Sequence, residues 1–223
     1  MHPSQADGRT LRKGEMHMDY RVVDMEAYPR KEHFAYFRSL AFPYVGVTRN
    51  VDITAFLRRC KAQGHNFFLR FLYEVAAAAN AVPALRQRVL GEQIIEFPCC
   101  KTSHTVMRPD GVFAYCTLDC HMPLEQFLPY AAQAQEAAKA GGGISDPAES
   151  IGYFFISCLP WLSYSALIQP VPMPADSNPR ITWGKYETHG QDTILPVSLL
   201  AHHGLVDGKH IADFYQQLEE RLQ

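Results

Sequence analysis

The run from Val197 to His210, Val-Ser-Leu-Leu-Ala-His-His-Gly-Leu-Val-Asp-Gly-Lys-His, holds the densest chemistry in the chain. An apolar strand runs into two histidines, then a glycine-bearing loop, an Asp-Gly turn and an amphipathic helix. Side chains alternate along a strand, so His202 and His203 face opposite ways and only one of them lines a cleft at the strand end. A histidine there can act as a general base, because its pKa lies near neutrality. Such a base needs a partner for its other ring nitrogen and a loop that holds it still. Asp207 can accept a hydrogen bond or pair with a cation that fixes the loop. From these residues alone, a hydrogen-bonded structural histidine and a turn-forming Asp-Gly remain an equal alternative.

Other constellations are weaker. Cys116, Cys120 and His121, with Cys99, Cys100 and His104 nearby in sequence, invite a zinc reading. Structural zinc sites pair cysteines two to four apart with a second matching pair, and no second C-x-x-C exists here. No metal is expected, and no cysteine sits in a nucleophile motif. Gly141-Gly142-Gly143 lacks a following Lys-Ser/Thr and reads as a helix stop rather than a phosphate cradle. Arg58, Arg59 and Lys61 read as a solvated helix face.

The elements that must position the histidines form a mixed set. Helical spacing and stop signals predict helices over Val51–Lys61, Asn66–Ala81, Pro123–Ala140 and Gly208–Leu222, the last with Ile211, Phe214, Tyr215, Leu218 and Leu222 on one stripe. Strands are predicted at Gln93–Phe97, Val106–Arg108, Val112–Leu118, Phe154–Cys158, Ser163–Ile168, Arg180–Tyr186 and Thr193–His202, the second and third as a hairpin about Pro109-Asp110-Gly111. The order lacks a regular βαβ alternation. An α+β fold with an antiparallel or mixed sheet is therefore expected over a doubly wound one.

The chain has 223 residues, 47% hydrophobic and 12% aromatic, with 21 Lys+Arg against 23 Asp+Glu and a net charge of −2. This suits one globular domain and excludes a dedicated nucleic-acid binder or an acidic disordered chain. Six irregularly placed cysteines do not make a disulfide framework. The first twenty residues hold no apolar run like that of a signal peptide. A reducing cytoplasm is expected, with residues 1–18 a flexible polar extension, in which Met16 or Met18 can be alternative starts, and the domain over 19–223. Ile151 to Ala175 carries no charged residue, but Pro160, Pro170, Pro172 and Pro174 break any helix there. It reads as two buried strands and a proline-rich loop.

His202-His203-Gly204-Leu205-Val206-Asp207-Gly208 resembles the HHxxxDG motif of the chloramphenicol acetyltransferases, shared by the wider superfamily that includes dihydrolipoyl acyltransferases. Three further blocks in the same order narrow the likeness. Tyr28-Pro-Arg-Lys-Glu-His-Phe34 resembles the family's W-x-R-x-x-H-F segment, with Tyr at the Trp place; Ile156-Ser-Cys-Leu-Pro-Trp161 resembles S-x-L-P-W; and Ile181-Thr-Trp-Gly-Lys-Tyr186 fits a fourth block. The resemblance spans roughly residues 19 to 222.

It implies a two-layer α+β sandwich with a mixed sheet, the CoA-dependent acyltransferase fold. The implied working unit is a homotrimer with sites at subunit interfaces. The implied activity is acetyl-CoA-dependent O-acetylation of chloramphenicol, which inactivates the antibiotic. In that scheme His203 is the base, Ser157 donates to the oxyanion and Thr182 supports it through bound water. Asp207 pairs with Arg30 to fix the loop, and Lys185, Tyr186 and Trp161 flank the coenzyme channel. Phe37, Val45, Phe113, Tyr115 and Ile144 fall at acceptor-pocket positions. Phe37 replaces a Tyr there, and Val45 and Ile144 replace positions that are often Phe. Those departures keep two alternatives open: another hydroxylated acceptor, and a non-catalytic small-molecule binder on the same scaffold.

Overall fold

The computed structural model describes residues 19–144 and 148–223; the expected extension 1–18 lies outside them. After β1 (Arg21–Val22), the chain forms α1 (Lys31–Arg38), β2 (Tyr44–Asp52), α2 (Thr54–Gln63) and α3 (Phe67–Asn80). Asn66 caps α3, its side-chain oxygen accepting from the Leu69 amide at 3.1 Å. A 3₁₀ turn over Pro83–Arg86 leads into β3 (Gln87–Leu90), β4 (Gln93–Glu96), β5 (Lys101–Met107) and β6 (Phe113–Leu118). Next come α4 (Leu124–Gly141), β7 (Tyr153–Cys158), β8 (Arg180–Trp183), β9 (Glu187–His189), β10 (Asp192–His202) and α5 (Gly208–Leu222).

The main sheet runs β2-β10-β8-β7-β5-β6, with β9 paired to β10, and β1, β4 and β3 form a small second sheet. β7 pairs in parallel with both β5 and β8, while the other pairings are antiparallel. The sheet is mixed, as expected. Strand alternation divides it into two faces. One carries Val106, Ala114, Cys116, Phe154, Ile156, Ile181, Trp183, Leu195, Val197 and Leu199, all buried with helix residues such as Phe71, Leu72, Phe127, Phe214 and Leu218 in one core. The other face carries Thr105, Tyr115, Ser157, Thr182, Ser198 and Thr48, which the strand registers set side by side. This second, hydroxyl-rich face is where the chemistry collects.

Several elements differ from the sequence expectation. Ser163–Ile168 is not a strand. Lying between Pro160 and Pro170, it crosses the hydroxyl-rich face as an irregular segment, and the Tyr164 hydroxyl donates to the Thr182 carbonyl at 3.0 Å. The strand expected over Arg180–Tyr186 stops at Trp183, because Lys185 turns its amide to the Leu162 carbonyl, 2.7 Å away. Gly184 makes that approach possible, since a Cβ there would lie 2.5 Å from the same oxygen. Val51 and Asp52 end β2 rather than open α2, and Asp52 Oδ1 accepts from the Thr54 amide at 2.8 Å. The Thr54 hydroxyl does not cap its own helix but accepts from the Thr193 amide at 2.7 Å, tying α2 to β10.

Candidate active site

His203 follows directly on β10, where the main chain is pinned by its amide donating to the Pro43 carbonyl at 2.7 Å. Its Nδ1 lies 3.0 Å from the Val206 carbonyl. A carbonyl only accepts, so Nδ1 carries the proton and Nε2 presents a lone pair, the tautomer a general base needs. The Phe37 ring stacks on the imidazole with centroids 3.7 Å apart and 18° between planes. Phe37, which the resemblance puts among acceptor-pocket positions, therefore holds this imidazole in plane. Val45 lies on β2 opposite Ala201, two residues before His203.

The loop that follows is held from two sides. Arg30, at the start of α1, pairs with Asp207 and donates from Nη2 to the His203 carbonyl at 3.0 Å. Asp207 is also the N-cap of α5, accepting from the amides of Lys209 and His210. Burial alone would raise its carboxyl, but the His210 and Arg30 charges and those two amides outweigh it and hold the pKa below the usual carboxylate value. Gly204 fits because its amide donates to His202 Nδ1 at 3.1 Å, and a Cβ would meet the same ring at 3.0 Å.

His202 faces away from His203, as alternation requires. It is 4% exposed, packs on Tyr44, and burial pushes its pKa down to about 4. His104 on β5, 1% exposed, is likewise pushed down by burial to about 4. Both are neutral in the folded chain and take up protons on unfolding once the pH falls below about 6.5. Stability is therefore highest above that pH and declines until about pH 4. Each histidine is expected to cost about 2 kcal/mol of unfolding free energy between pH 7 and pH 5. Denaturant titrations at the two pH values check this; equal free energies would contradict two buried neutral imidazoles.

The remaining expected site residues gather around Ser157. A cavity of about 930 Å³ is lined by Ser157, Cys158, Trp161, Phe113, Lys185 and Tyr186, with Asn66, Phe68, Gln135 and Lys139 from α3 and α4. A second, of about 450 Å³, is lined by Ser157, Thr182, Phe113, Tyr115 and Arg180, with Leu167–Pro170 above them. Ser157 and Phe113 belong to both, so the two cavities meet at the serine. Its hydroxyl has no hydrogen-bond partner among the described residues. Burial pushes the neighbouring Cys158 thiol up to about 12, so it stays protonated and offers no competing nucleophile. Ile144 is 65% exposed just after α4 and lines neither cavity.

His203 lies outside both cavities, and the registers say how far. Ser157 is opposite Thr182, and Thr182 is opposite Ser198. His203 stands five residues past Ser198, about 16 Å along β10, while Ser157 is about 10 Å across the sheet. A base and an oxyanion donor must both reach one reacting group within a few ångströms. Within one chain they do not.

Sequence reasoning missed Arg180 as a cavity residue, although it precedes Thr182 by two and so shares its face. Gln135 and Lys139 carried no signal, because only the packing of α4 brings them to the cavity. Among the described residues, no group of three or more His, Cys, Asp or Glu side chains converges as a metal site.

A mixed sheet backed by helices, with a half-buried histidine at one strand end and a serine between two cavities, has the build of a CoA-dependent acyltransferase. Comparison with known proteins narrows this. The chloramphenicol acetyltransferase family model matches residues 18–219, and the chain belongs to that family of acyltransferases. A chloramphenicol acetyltransferase from Klebsiella sp is 28% identical over 205 residues, covering 90% of this chain and 93% of its own. A solved chloramphenicol acetyltransferase structure superposes with a TM-score of 0.79 at 25% identity, covering 92% of this chain and all of its own. The cubic core of the pyruvate dehydrogenase multienzyme complex shares the fold, with a TM-score of 0.59 at 20% identity and 85% of each chain covered. The family uses acetyl-CoA as co-substrate. No helix among the described residues is long and apolar enough to cross a membrane.

Proposed function

We propose that this protein transfers the acetyl group of acetyl-CoA to a hydroxyl of chloramphenicol, inactivating the antibiotic, and that it works as a homotrimer. His203 of one copy faces Ser157 of the next. The observation that carries this reading is the separation of the two residues within a chain, each otherwise poised for its part. His203 offers a lone pair at Nε2, and Ser157 offers an unpartnered hydroxyl where two cavities join.

The reaction follows from those groups. The larger cavity, with Trp161, Tyr186 and Lys185, suits the coenzyme arm, and the smaller, with Phe113, Tyr115 and Thr182, suits the acceptor. His203 Nε2 takes the proton of the acceptor hydroxyl as its oxygen attacks the thioester carbonyl. The tetrahedral oxyanion receives a hydrogen bond from Ser157, a contact worth about 3 kcal/mol in comparable enzymes. Thr182 supports the intermediate through water. On collapse the carbon–sulfur bond breaks, and the imidazolium returns the proton to the leaving thiolate.

Association is supported by the surface around the base. β2 is an edge strand of the main sheet, and Val47 on it and Phe42 just before it are 41% and 56% exposed. Such apolar side chains at an open edge favour pairing with another copy. A cytoplasmic location belongs to the same proposal and is supported by six free thiols.

Release of CoA thiol, followed spectrophotometrically with purified protein, acetyl-CoA and chloramphenicol, tests the function. Release in proportion to drug is expected. Background release with chloramphenicol but turnover with another alcohol would move the assignment to that acceptor. Binding of the drug without release would instead mark a non-catalytic binder.

A further inference from the structure

Among the described residues, Arg180 is the one charged group lining the smaller cavity, and the acetyl-transfer chemistry does not use it. It precedes Thr182 by two on β8, so both side chains rise from the hydroxyl-rich face about 6.6 Å apart. Phe155 is opposite Arg180 as Ser157 is opposite Thr182, and the guanidinium sits 5.4 Å from the Phe155 ring centroid. The residue is 8% exposed. One edge of the guanidinium is engaged. Nη1 donates to Asp176 Oδ1 at 2.8 Å and to the Asn178 carbonyl at 3.1 Å, and Nη2 donates to Asp176 Oδ2 at 2.8 Å. The Tyr44 hydroxyl donates to Asp176 Oδ1 at 3.0 Å and steadies the carboxylate.

A guanidinium has five N–H donors in a rigid plane. Three are used. The two left are Nε–H and the second Nη2–H, which lie side by side on the opposite edge and have no acceptor among the described residues. Two parallel donors at fixed spacing match a planar pair of oxygens. Asp176 neutralises the charge, so a neutral two-oxygen group is received without leaving an uncompensated cation.

We propose that the Nε/Nη2 edge of Arg180 binds a neutral planar two-oxygen group of the acceptor, a nitro group, and so selects which hydroxylated molecules are acetylated. The assignment rests on the acetyl-transfer reading above. For chloramphenicol the group is the nitro of its nitrophenyl ring, with the reacting hydroxyl directed toward Ser157 and Thr182.

The test measures CoA release from the native protein with three acceptors that differ only at the ring substituent: nitro, carboxylate or hydrogen. The hydrogen form is expected to show a KM at least about tenfold higher than the nitro form, and the carboxylate form, whose charge Asp176 opposes, is also expected to bind less tightly than the nitro one. Arg180→Lys keeps the charge but loses the fork. It is expected to raise KM about tenfold for the nitro form and by a clearly smaller factor for the hydrogen form, with the KM for acetyl-CoA within about twofold. A general disturbance of the fold would move both acceptors and the coenzyme together. Equal KM values for the nitro and hydrogen forms on the native protein overturn the assignment alone, as does an equal shift of both in Arg180→Lys. The native comparison decides if that variant does not fold. No release with any of the three overturns the acetyl-transfer reading and this assignment with it.

Discussion

His203→Ala is expected to lower kcat about 10²- to 10⁴-fold, leaving the melting temperature within a few degrees of the native value. The two halves of that expectation have separate causes. In the proposed reaction this ring takes the proton of the acceptor hydroxyl, and His202, the other imidazole at the end of β10, is buried with its Nδ1 held by the Gly204 amide, so the loss of His203 removes that step. It contributes little to the core, since it is half-buried, stacks on Phe37 and bonds only to the Val206 carbonyl. KM values are expected to change little, because the cavities around Ser157 are built from other residues. Steady-state kinetics with a thermal melt checks both halves. A kcat within tenfold of native would remove His203 from the base role.

Asp207 carries two jobs that substitution can separate. Asparagine is as good an N-cap as aspartate, so Asp207→Asn keeps the α5 cap while losing the charge that faces Arg30. The Arg30 and Asp207 side chains are 15% and 33% exposed, so the pair is partly screened and its loss is expected to cost about 2 kcal/mol, less than for a fully buried pair. In a chain of this size that lowers the melting temperature by about 4–8 °C. Asp207→Ala loses the cap as well, costing about 1 kcal/mol more. Activity is expected to fall in both, because Arg30 holds the His203 carbonyl. Equal melting of Asp207→Asn and the native protein would show that the pair does not fix the loop.

The chemistry was legible where it is local. His203, Gly204 and Asp207 stand within one turn between a strand and a helix, so residue types and spacing nominate a candidate base and anchor, and the family resemblance points to the second histidine. α5 was legible because Ile211, Phe214, Tyr215, Leu218 and Leu222 repeat at helical spacing, and all five are buried. β2 was not. It is an edge strand whose Gly46, Thr48, Arg49 and Asn50 blunt the alternation, and most of its positions are not buried. Ser163–Ile168 alternates like a strand, yet its tyrosine serves the Thr182 carbonyl in place of a ladder. Arg180 could have been found by counting two back from Thr182. That Ser157 and His203 lie apart was not legible at all, since strand order along the sheet is a tertiary fact that no local pattern carries.

Subunit mixing puts the shared site to trial. Ser157→Ala and His203→Ala chains, each nearly inactive alone, are to be co-expressed with different tags, and complexes carrying both tags isolated and assayed for CoA release. If every site takes its imidazole from one copy and its hydroxyl from the next, each trimer that carries both chains rebuilds one intact site among its three interfaces, and activity returns to about a third of native. Mixed complexes as inactive as either parent would contradict the account.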